Sequence, residues 1–271
     1  MSGLALLRAS GLCVAVCALM GPAEAQVRSP AFALTLSPVA QSSGWDERDQ
    51  KGRVLLHENG RLVGWRLSGL SGWRNWQLGL ATQSLSGRRL YDGQTNGGLP
   101  VQTHVNVDLN EAQLTAHYLS ESGWLLGLER GRRHQRRQLL SVPSVAKGYT
   151  ERWTSEEWRW RAGVRWQGSG QWQASVAVTP WARTRMELDS PAADLTLLYP
   201  QKQKAAQLAL AWRSPADGGW IWGWHSQLDW RRSARSDSVA WMRAGALWGA
   251  LAQPETREVL YGVGMEIGRV W

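Results

Sequence analysis

The final stretch of the chain, residues 259–271, reads VLYGVGMEIGRVW. Val259, Tyr261, Val263, Met265 and Ile267 alternate with Leu260, Gly262, Gly264, Glu266 and Gly268. A period of two, with one apolar face and one small or charged face, predicts a strand. Strands of about 9–11 residues with apolar groups outward and polar groups inward build the walls of transmembrane β-barrels.

The same alternation recurs along the chain. Residues 26–44 are broken by Pro38 and read as a periplasmic lead-in segment. Residues 45–57 form a first strand, Glu58-Asn59-Gly60 a tight turn, and residues 61–68 a second strand with Val63, Trp65 and Leu67 against Gly64, Arg66 and Ser68. A third strand spans 73–86 and a fourth 101–120. In the fourth, Ala112, Leu114, Ala116 and Tyr118 have one parity and Val105, Val107 and Leu109 the other, which predicts a bulge near Asn110. Further strands follow at 124–137, 148–166, 171–185, 207–212 and 220–231, and 259–271 closes the wall. The count is ten, with eight to twelve open because 239–251 could add a pair. Connections are alternately short and Gly/Ser-rich or long, the rule for periplasmic turns and external loops. The expected fold is an all-β, antiparallel, up-and-down transmembrane barrel over residues 45–271.

Composition adds a compartment. Arg8, the apolar run 11–20, Pro22 and Ala23-Glu24-Ala25 read as a secretory signal peptide over residues 1–25, cleaved before Gln26. Cys13 and Cys17 fall inside it, and Val16 argues against a lipid anchor, so neither a disulfide framework nor a cysteine metal site is expected in the mature chain. Mean hydropathy is negative and there is no apolar run near 18 residues, which argues against spanning helices. The chain holds 19 Trp but one Phe, and Trp favours the membrane–water interface. Net charge is +9. In an exported chain the counter-charges are lipopolysaccharide phosphates or other anions rather than nucleic acid.

Two groups of residues could carry chemistry. Arg130, Arg132, Arg133, Arg136 and Arg137, with His134 and with Arg88 and Arg89 nearby, are expected at the external rim, where guanidinium forks suit phosphate oxygens. Arg66, His117, Glu129, Arg159, Arg161, His225, Asp229 and Glu266, with Glu157 and Arg165, are expected to face the lumen. Confined there, arginine and carboxylate pair because neither can stand alone. His104 with Asp108, and His225 with Asp229, are separated by about 13 Å along a strand, too far for a base and its orienting carboxylate. No catalytic residue, metal ligand or cofactor site is assigned.

The aromatic end at Trp271 resembles the signal read by the barrel-assembly machinery, with Arg269 departing from the usual pattern. Ten strands and the hairpin 53–65 with its Glu58-Asn59-Gly60 turn resemble the omptin barrel, an outer-membrane protease family. The resemblance is one of architecture. Omptin activity requires an acidic pair and an Asp-x-His pair, whereas Tyr91-Asp92-Gly93 offers one aspartate and the 186–204 loop offers Asp189 and Asp194 without histidine. The expectation is a non-enzymatic envelope protein in a Gram-negative outer membrane, engaging outer-membrane lipid and lipopolysaccharide, or another anionic partner, through its basic rim. An anion-preferring pore, with Gly64, Gly79, Gly163, Gly223 and Gly264 leaving a water path, and a barrel-embedded hydrolase stay open.

Overall fold

The structure is a computed structural model that describes residues 32–94 and 98–271. The predicted signal peptide and both cysteines lie outside the described residues. The elements are β1 (Phe32–Arg48), β2 (Val54–Trp73), β3 (Trp76–Gln94), β4 (Pro100–Leu119), β5 (Trp124–Leu139), β6 (Tyr149–Gln167), β7 (Gln171–Asp189), β8 (Thr196–Leu198), β9 (Gln201–Arg213), β10 (Trp220–Ala234), β11 (Val239–Arg243), β12 (Ala246–Leu251) and β13 (Glu255–Val270). Ten of them make a closed antiparallel wall in the order β1 to β7, β9, β10, β13, and β13 pairs back onto β1. Closure leaves the wall without an edge. The short β8 extends the top of β7, and β11 and β12 form a hairpin outside the wall.

Three local expectations are corrected. Residues 32–44 are wall, not lead-in: β1 starts at Phe32, with Ala33, Thr35, Ser37 and Val39 inward and Leu34 and Leu36 outward. Pro38 is tolerated because pairing with β13 skips Ser37 and Pro38, so its missing N–H breaks no ladder bond on that side. Glu58-Asn59-Gly60 lies within β2, not at a turn. The turn is at 49–53, where Asp49 Oδ1 accepts the amides of Lys51 and Arg53 and Gly52 takes φ +79°, an aspartate-made turn. The register of β4 with both neighbours runs unbroken through Asn110. The wall instead bulges in β7 beside Pro180, where the pairing shifts between Trp158 and Trp160.

Val105, Val107 and Leu109 kept their parity because the barrel changes character along its axis. Around the end that carries the termini, the outer face is apolar: Leu34, Leu67, Leu78, Leu80, Leu126 and Ile267 are exposed, fringed by Trp73, Trp76, Trp124, Trp220 and Trp271. The upper fringe is Trp158, Trp181 and Trp230, with Arg130 over the first ring at 5.7 Å and Arg183 over the second at 5.5 Å. From Trp76 to Ser84 this belt is about nine residues of tilted strand, roughly 25 Å. Beyond it the strands continue towards the loop end with the pattern inverted. There Leu62, Leu85, Leu109, Val105, Trp45, Trp153 and Met186 form a core inside the barrel, while His57, Asn59, Arg88, Gln102 and Arg136 face outward.

Candidate functional site

The buried charges form a ladder inside the loop-end half. Arg89, fully buried on β3, donates to Glu258 Oε1 at 2.9 Å and lies 3.5 Å from Glu58 Oε2. Arg133 donates to Glu258 Oε2 at 2.6 Å. Arg137 bonds Glu58 and Glu151, lies 3.5 Å from Glu47, and sits 4.3 Å from the Trp45 ring centroid. Lower down, Glu157 holds Arg159 and Arg231. Arg89, Arg133 and Arg137, expected at the external rim, are therefore lumenal. Their odd parity on β3 and β5 matches that of inward Leu85 and Leu125, and each neutralises a carboxylate there.

Arg88, Arg130, Arg132 and Arg136 do face outward. With them stands Arg61 on β2, which the sequence reading left out although it shares the parity of Val63 and Trp65. Arg61 is directly opposite Arg88 in the β2–β3 register, one step above the belt position held by Val63 and Ser86. A second row, Lys204, Arg232 and Arg257, crosses β9, β10 and β13 one step above Ala206, Trp230 and Val259. Glu255 offsets part of that row by bonding Arg232 and Arg257. Among the described residues Arg61 has no ion pair, and Arg88 bonds the neutral amide of Asn106 at 3.2 Å.

In the half nearest the termini, the lumen contains a polar cavity of about 210 Å³. Arg66, His117, Glu129, Arg161, His225 and Glu266 line it, all from the predicted lumenal group. Arg159 and Asp229 sit higher and outside that lining: Arg159 on Glu157, Asp229 accepting from Gln207 Nε2 at 3.0 Å. Two histidines meet carboxylates. His117 Nε2 is 3.1 Å from Glu129 Oε1, a carboxylate shared with Arg161 and Gln113. His57 Nδ1 is 2.6 Å from Asp46 Oδ1, but on the exposed outer face, with Asp92 in register on its other side. A histidine and a carboxylate thus converge near the rim, as a barrel hydrolase would need, on the wrong side of the wall for a pocket. No group of three or more metal-ligating side chains occurs among the described residues.

The inward glycines do not keep a channel open. A Cβ on Gly64 would strike the Ser84 carbonyl, with Leu85 Cα at 2.9 Å, and one on Gly264 would strike the His225 ring. They relieve crowding where strands or side chains approach closely. The Leu62, Leu85 and Leu109 core then occupies the lumen above.

No family model matches the chain, and no curated protein matches it. Among solved structures, the outer membrane protease OmpT from Escherichia coli superposes with TM-score 0.57 at 11% identity, covering 92% of this chain and 99% of that one. The translocator domain of the autotransporter NalP from Neisseria meningitidis matches with TM-score 0.43 at 8% identity, over 96% of this chain and 95% of that one. The Ralstonia pickettii toluene transporter TbuX matches with TM-score 0.42 at 8% identity, over 93% and 92%. At such identities the likeness to OmpT is one of fold alone. The chain is a closed, ten-stranded, antiparallel β-barrel of the outer-membrane type.

Proposed function

We propose that this is a plugged outer-membrane barrel, exported by its N-terminal signal, that holds phosphate-bearing lipid of the outer leaflet against its lipid-facing arginines and serves the envelope without catalysis. The termini end would face the periplasm and the loop end the exterior.

The observation that carries the reading is the Arg61–Arg88 pair. Like charges directly opposite on a sheet face are destabilising, and this pair stands on the outer face one step above the belt with no carboxylate bonded to it among the described residues. A phosphate between the two guanidiniums turns repulsion into bidentate attraction. Arg130 and Arg183 add two more outward guanidiniums, each stacked over a belt tryptophan. Against a pore stands the filled loop-end lumen.

The test is thermal conversion of the folded gel band of refolded protein, with bisphosphorylated lipopolysaccharide or its dephosphorylated form. The bisphosphorylated lipid is expected to raise the conversion temperature more, and Arg61→Gln/Arg88→Gln to remove most of the difference. Equal response to both lipids, or an unchanged response in the double variant, would sink the reading.

A further inference from the structure

The lumenal cavity holds more guanidiniums than carboxylates, the reverse of the loop-end lumen, where Glu47, Glu58 and Glu151 share Arg137. Arg89, Arg133, Arg137, Arg159, Arg161, Arg213 and Arg231 all lie inside the wall, and each has a carboxylate within ion-pair distance. Among the described residues two lumenal arginines do not, and both line the cavity.

Arg66 has neither a hydrogen bond nor an ion pair among the described residues. The carboxylates whose field it feels are Glu111, Glu129 and Glu266, and each already has another guanidinium: Arg133, Arg161 and Arg213 respectively. Among the described residues the Arg165 side chain, 5% exposed, bonds only neutral amides, Gln173 Oε1 at 2.7 Å and Gln77 Oε1 at 3.0 Å. Four guanidiniums therefore face two carboxylates across one cavity, with His225 also lining it. An uncompensated charge away from bulk water is costly.

The cavity has room for a ligand. About 10–15 Å³ of such space holds one water, and about 210 Å³ is present. Its outer portion, at Gln77, Arg165, Gln173 and Arg213, lies close to the short turns at the termini end, while Arg66 and His225 lie deeper. The lining presents four guanidiniums, which only donate, with the amides and hydroxyls of Gln227, Ser37 and Thr115, which donate or accept. Above Arg66, the core around Val39, Leu62 and Leu85 closes the lumen.

We infer that this cavity is a blind binding site for a small oxyanion, a phosphate or a carboxylate, entering from the termini end and held between Arg165 and Arg66. The site is separate from the lipid-facing arginines, which lie on the other side of the wall.

The experiment is isothermal titration of the refolded chain, free of lipopolysaccharide, with inorganic phosphate and separately with succinate, both at ionic strength fixed by sodium chloride. Saturable heat is expected from at least one anion. Phosphate alone would mark a phosphate site, succinate alone a carboxylate site, and both a general oxyanion site. Arg66→Gln and Arg165→Gln are each expected to weaken binding roughly tenfold or more. Arg61→Gln/Arg88→Gln should stay within about twofold of the parent. Arg66→Gln removes an unpaired charge, so it should fold, and the heat-modifiable gel band verifies this for each variant. The inference is overturned if neither anion gives saturable heat, if the folded lumenal variants bind like the parent, or if only the outer-face variant loses binding.

Discussion

The guanidinium of Arg89 on β3 reaches across the lumen to the carboxylate of Glu258 on β13, Nη2 to Oε1 2.9 Å, joining residues 169 apart in sequence. Glu258 also accepts from Arg133 on β5, so one carboxylate ties three strands together. A buried ion pair contributes little over an apolar replacement, but removing one partner leaves its charge stranded. Glu258→Gln should therefore destabilise the folded barrel by about 3–5 kcal/mol, read as a lower temperature or urea concentration for loss of the compact gel band. A midpoint equal to the parent's would mean the ladder is not what holds this region.

Glu47 lies beyond the belt, next to the last residue of β1 at the loop end. Burial, with the charge of Glu151 adding to it and Arg137 opposing, pushes its carboxyl from 4.5 up to about 7. The folded form therefore holds a proton that the unfolded chain releases between pH 4.5 and 7. This contribution is fully present below 4.5 and is lost as pH rises through about 7. Glu47→Gln, which still offers Trp45 Nε1 an acceptor, should stabilise the barrel at pH 8 by on the order of 1–3 kcal/mol. The gain should fade towards pH 4.5. A constant difference across that range would contradict the burial of an ionisable group here.

Gly64 and Gly249 form a matched pair for a packing test. A methyl at Gly64 meets the Ser84 carbonyl and Leu85 Cα, which are backbone and cannot rotate away, whereas a methyl at Gly249 on β12 meets nothing within 4 Å. Gly64→Ala should cost about 1–3 kcal/mol or more and slow or prevent refolding into the heat-modifiable form. Gly249→Ala should refold like the parent. Similar behaviour of the two would contradict the close approach of β2 and β3.

The filled loop-end lumen predicts electrical silence. Refolded protein in planar bilayers should show no stable open steps at low or high salt, because Leu62, Leu85 and Leu109 are at most 2% exposed and pack with Val105 and Trp153 across the interior. Stable anion-preferring steps would restore the pore reading and require another arrangement of the interior.

The sequence by itself determined the class of structure. Strand alternation is local, so Trp158, Trp160, Val259 and Met265 announced an outward apolar face, and Arg66, Glu129, Arg161 and Glu266 an inward one, without any knowledge of neighbours. The ten-strand wall follows from that rhythm and from the alternation of short and long connections. What parity could not reveal is that inward has two meanings along this axis. Beside lipid the apolar side must face out, but beyond the lipid the strands stand in water and bury apolar groups in the lumen. Val105, Val107 and Leu109 therefore mimicked a bulge, and Arg89, Arg133 and Arg137 mimicked a rim, because the sequence carries no marker of where the membrane stops. The start of β1, the partners of each charge, and which arginines, Arg66 and Arg165, stand without a carboxylate among the described residues were likewise decided only in three dimensions. Each depends on which residues of distant strands share a level of the barrel, and closure of β13 on β1 sets that level.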